Sequence, residues 1–107
     1  MLRRIVSHAE YQTFLNAAQS CRLSHFFIPV LFTGDEDFAY GITITGKIGN
    51  AVLRNRLKRR IKAWFFQNAI LLPKGVKINL IARSGAAELT WTELCAELTQ
   101  LANQLKR

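Results

Sequence analysis

No stretch of about 18 consecutive apolar residues occurs in the sequence, so no membrane-spanning helix is expected. The opening Met1-Leu2-Arg3-Arg4 is basic, but polar Ser7, His8 and Glu10 come within a few residues, and the apolar segment of a signal peptide is missing. Cysteine is scarce: Cys21 and Cys95 lie far apart and form no CxxC pair, which predicts reduced thiols in a cytoplasmic protein. His8 and His25 have no nucleophile or ligand set near them in sequence. There are only seven acidic residues. Three share one turn, Asp35-Glu36-Asp37, while Glu10, Glu88, Glu93 and Glu97 read as helix starts or helix faces. Gathered carboxylates of the kind that hold catalytic metal ions are therefore not expected, nor is a metal site on the polypeptide. Internal repeats, low-complexity tracts and linkers are absent as well.

What is abundant is positive charge. Fifteen Lys and Arg give the 107-residue chain a net charge of +8, and six of them fall within residues 54–62. A focused excess of this kind points to a polyanionic partner. Half of the residues are hydrophobic, enough for one compact core without disulfide or metal staples.

The periodicities predict the order α-β-β-α-β-α, with a further short strand before the first strong one. Ser7 and Glu10 stand in capping-box relation, and Tyr11, Phe14, Leu15 and Ala18 follow at helical spacing. Residues 24–32 read as a strand in which Pro29 suggests an edge or a bulge. After the acidic turn, residues 38–45 alternate: Tyr40, Ile42 and Ile44 on one face, Gly41, Thr43 and Thr45 on the other. A helix is expected from about residue 50 to 68 and a strand over 76–82. A last helix opens on a second capping box, Thr90 and Glu93, and carries a core stripe of Leu94, Leu98, Leu101 and Leu105. The fold class is α+β: one sheet with helices packed on it, in a single domain over 1–107.

The segment Lys47-Ile48-Gly49-Asn50-Ala51-Val52-Leu53-Arg54-Asn55-Arg56-Leu57-Lys58-Arg59-Arg60-Ile61-Lys62 carries the functional signal. At 100° per residue, Leu53, Leu57, Ile61 and Trp64 form one stripe that seats the helix on the sheet. Arg54, Arg56, Lys58, Arg59 and Lys62 occupy the remaining circumference. The run has no acidic partner at i±4, so it repels itself unless an anion lies against it. Guanidinium forks suit paired phosphate oxygens, and Asn55 adds an amide beside them. The pattern predicts nucleic-acid binding without saying which nucleic acid.

At these residues the chain resembles the bacterial ribonuclease P protein component, whose hallmark K-x-G-x-A-V-x-R-N-R-x-K-R is matched from Lys47 through Arg59. Glu10-Tyr11-Gln12-Thr13-Phe14 is similar to the family's D-F-x-x-V/F stretch, and Ile81-Ala82-Arg83-Ser84-Gly85-Ala86-Ala87-Glu88-Leu89 to its I-A-R-x-G-A-A-x-L segment. The resemblance implies a small ribosomal-protein-like α/β sandwich with a left-handed β-α-β crossover. It also implies the protein subunit of an endoribonuclease that removes the 5′ leader of precursor tRNA. The chemistry would belong to a catalytic RNA that holds Mg²⁺, in a 1:1 complex with the protein. By the same resemblance, Lys47, Arg54, Asn55, Arg56 and Arg59 would contact the catalytic RNA. Tyr11, Leu15, Phe27, Thr43, Thr45, Lys58 and Lys62 would line or flank the cleft for the leader; for Phe27 a plain core position is the alternative. Three positions depart from the family pattern: Thr45-Gly46-Lys47 replaces Ser-Lys-Lys, Leu15 stands where a second aromatic can occur, and Pro29 where a tyrosine can. A ribosomal or RNA-chaperone module would explain charge and fold but not three ordered family segments. A DNA-binding protein lacks an evident helix-turn-helix partner for the basic helix.

Overall fold

The computed structural model describes residues 1–106. Five strands form one sheet in the order β1-β4-β5-β3-β2: β1 (Leu2–Arg4), β2 (Gln19–Arg22), β3 (Phe26–Phe32), β4 (Phe38–Thr43) and β5 (Val76–Ala82). Three helices join them: α1 (His8–Gln12), α2 (Ala51–Gln67) and α3 (Trp91–Leu105). β4 pairs in parallel with β1 and β5, whereas β3 is antiparallel to β5 and β2.

The long helices seat on one sheet face because period-2 and period-3.6 patterns meet there. Phe38, Tyr40 and Ile42 from β4 and Val76, Ile78 and Leu80 from β5 point to the side that receives Leu57, Ile61, Trp64 and Phe65 of α2. Phe65 stacks on Tyr40 with ring centroids 4.3 Å apart. Leu94, Leu98, Leu101 and Leu105 of α3 complete this core. Each such side chain removed from water contributes about 1.5–3 kcal/mol before chain entropy is counted. The predicted capping box of α3 is complete: Glu93 N–H donates to Thr90 Oγ1 at 3.1 Å and Thr90 N–H to Glu93 Oε1 at 2.9 Å. Glu97, on the same helix but buried, accepts from the His25 backbone N–H at 3.0 Å and meets its ring, locking the start of β3 to α3.

The β4-α2-β5 connection has the uncommon hand. Tyr40 turns its backbone toward β1, accepting from Ile5 N–H at 2.8 Å, and its side chain toward α2. For L-residues those two directions place β5 to the left of an upward β4 seen from the helix side. The crossover is therefore left-handed, against a right-handed preference of about 98%.

Five local expectations are corrected. β1 was not foreseen; it exists through pairing with β4, since three residues carry no periodicity. The first helix stops at Gln12 and tightens into a 3₁₀ turn over Thr13–Asn16, so Leu15 is 75% exposed and Ala18 is also exposed rather than on a common apolar face. Its capping box is half formed: Glu10 N–H donates to Ser7 Oγ, but the Glu10 carboxylate binds Arg3 instead. Pro29 lies neither on an edge nor at a bulge. It is buried in β3, between β2 and β5, and the β3–β5 register is the same on both sides of it. What it costs is local: odd residues of β3 turn their backbone to β5, so its missing N–H leaves the ladder one bond short opposite Asn79. Finally, β4 ends at Thr43, two residues early, leaving Ile44 packed against the core and Thr45 exposed.

Candidate RNA interface

α2 begins where Asn50 accepts the Leu53 N–H at 3.0 Å. From there the wheel divides its cations among three directions. On the flank toward α3, Arg56 donates to the Ala87 carbonyl at 3.2 Å and Arg60 to that of Leu89 at 3.4 Å. The flank toward β4, marked by Phe65 stacking on Tyr40, carries Lys58 and Lys62, both half-buried. Asn55 and Arg59 lie outermost and are exposed, as is Lys47 in the preceding loop. Arg54 folds back to donate to the Gly49 carbonyl at 3.0 Å, and a Cβ at Gly46 would come within 3.3 Å of its Nη1. The glycine that replaces a family lysine thus gives this guanidinium room.

Arg54 and Arg56 are therefore not simply outward-facing as the wheel suggested. Each uses one donor on a backbone carbonyl and keeps others for a ligand. Among the described residues, none of the six α2 cations has an acidic partner. The ion pairs engage Met1, Arg3, His25, Lys74 and Lys77 instead. A cationic surface left uncompensated by its own fold is one that an external polyanion can neutralise.

The opposite sheet face holds a second constellation. α1 lies over its β1/β4 end, where Tyr11 rests on Gly41 so closely that a Cβ there would fall 2.6 Å from the ring. The Tyr11 hydroxyl accepts the Ile42 N–H at 2.9 Å and sits 3.2–3.3 Å from the carbonyls of Ile42 and Ile5, filling the ladder where β1 ends. Glu10 anchors the helix through a two-pronged bond to Arg3 at 2.7–2.8 Å, with Lys77 3.7 Å away; the Arg3 guanidinium holds its carboxyl below the usual carboxylate range. Lys77 also lies over the Phe14 ring at 5.7 Å. Farther along this face Thr43 Oγ1 donates to Asn79 Oδ1 at 2.9 Å, and Arg22 covers the half-buried Phe27 at 5.2 Å.

Tyr11, Phe27 and Thr43 thus share one sheet face, with Phe27 an exposed-side residue rather than a core aromatic. Leu15 and Thr45 are exposed near its margin. Lys58 and Lys62 belong to the other face but flank the same β1/β4 edge. Sequence reasoning missed Arg22, Asn79 and Arg4. Asn79 could have been found, because Lys77 and Asn79 alternate with Val76, Ile78 and Leu80. Arg4 pairs with Tyr40 in register and so points to the α2 side; nothing but tertiary pairing places it there.

Comparison with known proteins agrees with this architecture. The family model described as Ribonuclease P matches residues 2–106. A ribonuclease P protein component of Enterococcus faecalis is 36% identical over 96% of this chain and 88% of its own length. One from Geotalea uraniireducens is 32% identical over 97% and 91%. The RNase P protein of Staphylococcus aureus superposes with a TM-score of 0.85 at 28% identity, covering 96% of this chain and 94% of that one. The Thermotoga maritima RNase P protein shares the fold with a TM-score of 0.87 at 23% identity over 97% and 98%.

Proposed function

The chain belongs to the ribonuclease P protein component family, and from that premise we propose that it binds the catalytic RNA of ribonuclease P and the 5′ leader of precursor tRNA. The observation that carries this reading is the α2 ridge, six cations with no internal acidic partner among the described residues, on a helix anchored by buried Leu57, Ile61 and Trp64. In this reading Lys47, Arg54, Asn55, Arg56 and Arg59 meet the catalytic RNA. Tyr11, Leu15, Phe27, Thr43 and Thr45 border the leader path, and Lys58 and Lys62 hold its phosphates at the β1/β4 edge.

The protein's work is electrostatic. It draws two polyanions together and lowers their mutual repulsion, while Mg²⁺ and the hydrolysis belong to the RNA. Most of the polypeptide's own acids are engaged within the fold. Glu10 is bound to Arg3, Glu97 to His25 and Glu93 to its capping box, and among the described residues no three His, Cys, Asp or Glu gather. A 1:1 complex acting in the cytoplasm accords with this; no described helix is long and apolar enough to cross a membrane. Reconstitution tests the proposal. Purified protein mixed with ribonuclease P RNA at low Mg²⁺ should release the leader and leave a 5′-phosphate on mature tRNA. Cleavage no faster than by RNA alone would contradict it.

A further inference from the structure

α2 ends on three consecutive aromatics that its geometry treats differently. Trp64 and Phe65 are buried, whereas Phe66 is 80% exposed and joins no ring contact among the described residues. Its direction is not arbitrary. Asn55, Arg59 and Phe66, spaced by four and then seven residues, follow the outermost line of the helix, about 16 Å from first to last. The ring therefore continues the outer line of the cationic ridge, about two turns beyond Arg59.

We propose that Phe66 stacks on an unpaired base of the catalytic RNA, extending the interface past its last cation; the inference rests on the reading of α2 as the RNA-binding ridge. Cations for phosphates with an interleaved aromatic for a base is the arrangement by which proteins hold unpaired nucleic acid. Charge decides against the other occupants. Two copies joined through this face would set one uncompensated ridge against another, in chains of net charge +8 each. A lipid surface needs a continuous apolar helix face, and that of α2 is spent in the core. The outer line offers only Val52 and Phe66, about 21 Å apart.

The test is affinity for ribonuclease P RNA transcribed in vitro, measured at about 50 and 200 mM salt for wild type, F66A, F66L, F66W and R59A. F66A should weaken binding about 5- to 150-fold. The factor should be the same at both salt concentrations, because no phosphate contact is lost. F66W should restore binding, F66L should not, and thermal unfolding should be unchanged for all three Phe66 variants. Wild-type affinity in F66A, or a loss that shrinks with salt as for R59A, would overturn the proposal. So would unchanged RNA affinity with loss of self-association or of binding to anionic phosphatidylglycerol vesicles. A wild-type protein that binds no RNA would overturn the parent reading along with it, an outcome separable from a defect confined to F66A.

Discussion

Tyr11 and Gly41 show how closely single residues set this surface. The ring sits where any β-carbon on residue 41 would be, and its hydroxyl replaces a strand partner for Ile42. Gly41→Ala should therefore lift Tyr11 off the sheet and cost about 1–3 kcal/mol in urea unfolding. In a Tyr11→Ala background the same change should cost far less, and equal costs in both backgrounds would show that the two are not coupled. Glu10 makes a second prediction at this scale. Its bond to Arg3 lowers its pKa, so the ionised carboxylate stabilises the fold above the usual carboxylate range, and that stabilisation is lost as pH falls through the lowered value. Glu10→Gln should be less stable than wild type at neutral pH, and the gap should close in acid. A gap independent of pH would mean that the charge is not what matters.

At the scale of elements, α2 divides its arginines between bonds to its own chain and an exposed face. Arg59 is exposed and has no hydrogen bond to its own chain among the described contacts, whereas Arg56 ties the helix to the Ala87 carbonyl. Arg59→Ala should leave the unfolding midpoint unchanged while weakening RNA binding. Arg56→Ala should weaken binding and also lower stability by about 0.5–1.5 kcal/mol. Equal stability of the two variants would dismiss the tether. Elements whose pattern and core agree were legible beforehand: β5 and the α3 leucines are where their periodicity puts them, and the α2 stripe holds at Leu57, Ile61 and Trp64. Leu53, by contrast, is only partly buried, and Phe65 takes a core place that the stripe did not give it. The misreadings share a cause. Leu15 repeats correctly for a helix but has no core to meet, Pro29 is tolerated in a sheet interior, and Leu2–Arg4 is a strand only because β4 pairs with it. The ridge could be read because one helix carries it. Arg22 and Arg4 could not be placed beforehand, because the sheet order that sorts them onto faces is a tertiary property. The alternation of β5, however, already sets Asn79 apart from its core face.

For the whole molecule, charge and topology act together. The left-handed crossover sets α2 across one sheet face, while α1 leaves much of the other uncovered, so the ridge and the Tyr11–Thr43 face flank one edge of one sheet. Under the proposed function, that arrangement gives a small domain separate surfaces for two RNA segments. The proposed function rests on phosphate neutralisation by the α2 cations, and the salt dependence of precursor tRNA binding to the assembled protein–RNA complex measures the share of Lys58 and Lys62 directly. With the two leader phosphates held by Lys58 and Lys62, a plot of log affinity against log salt should have a slope about 1.4 units steeper than that for the RNA alone. Lys58→Ala with Lys62→Ala should make it about 1.4 units shallower. A slope indifferent to the protein, or to those two lysines, would contradict the account.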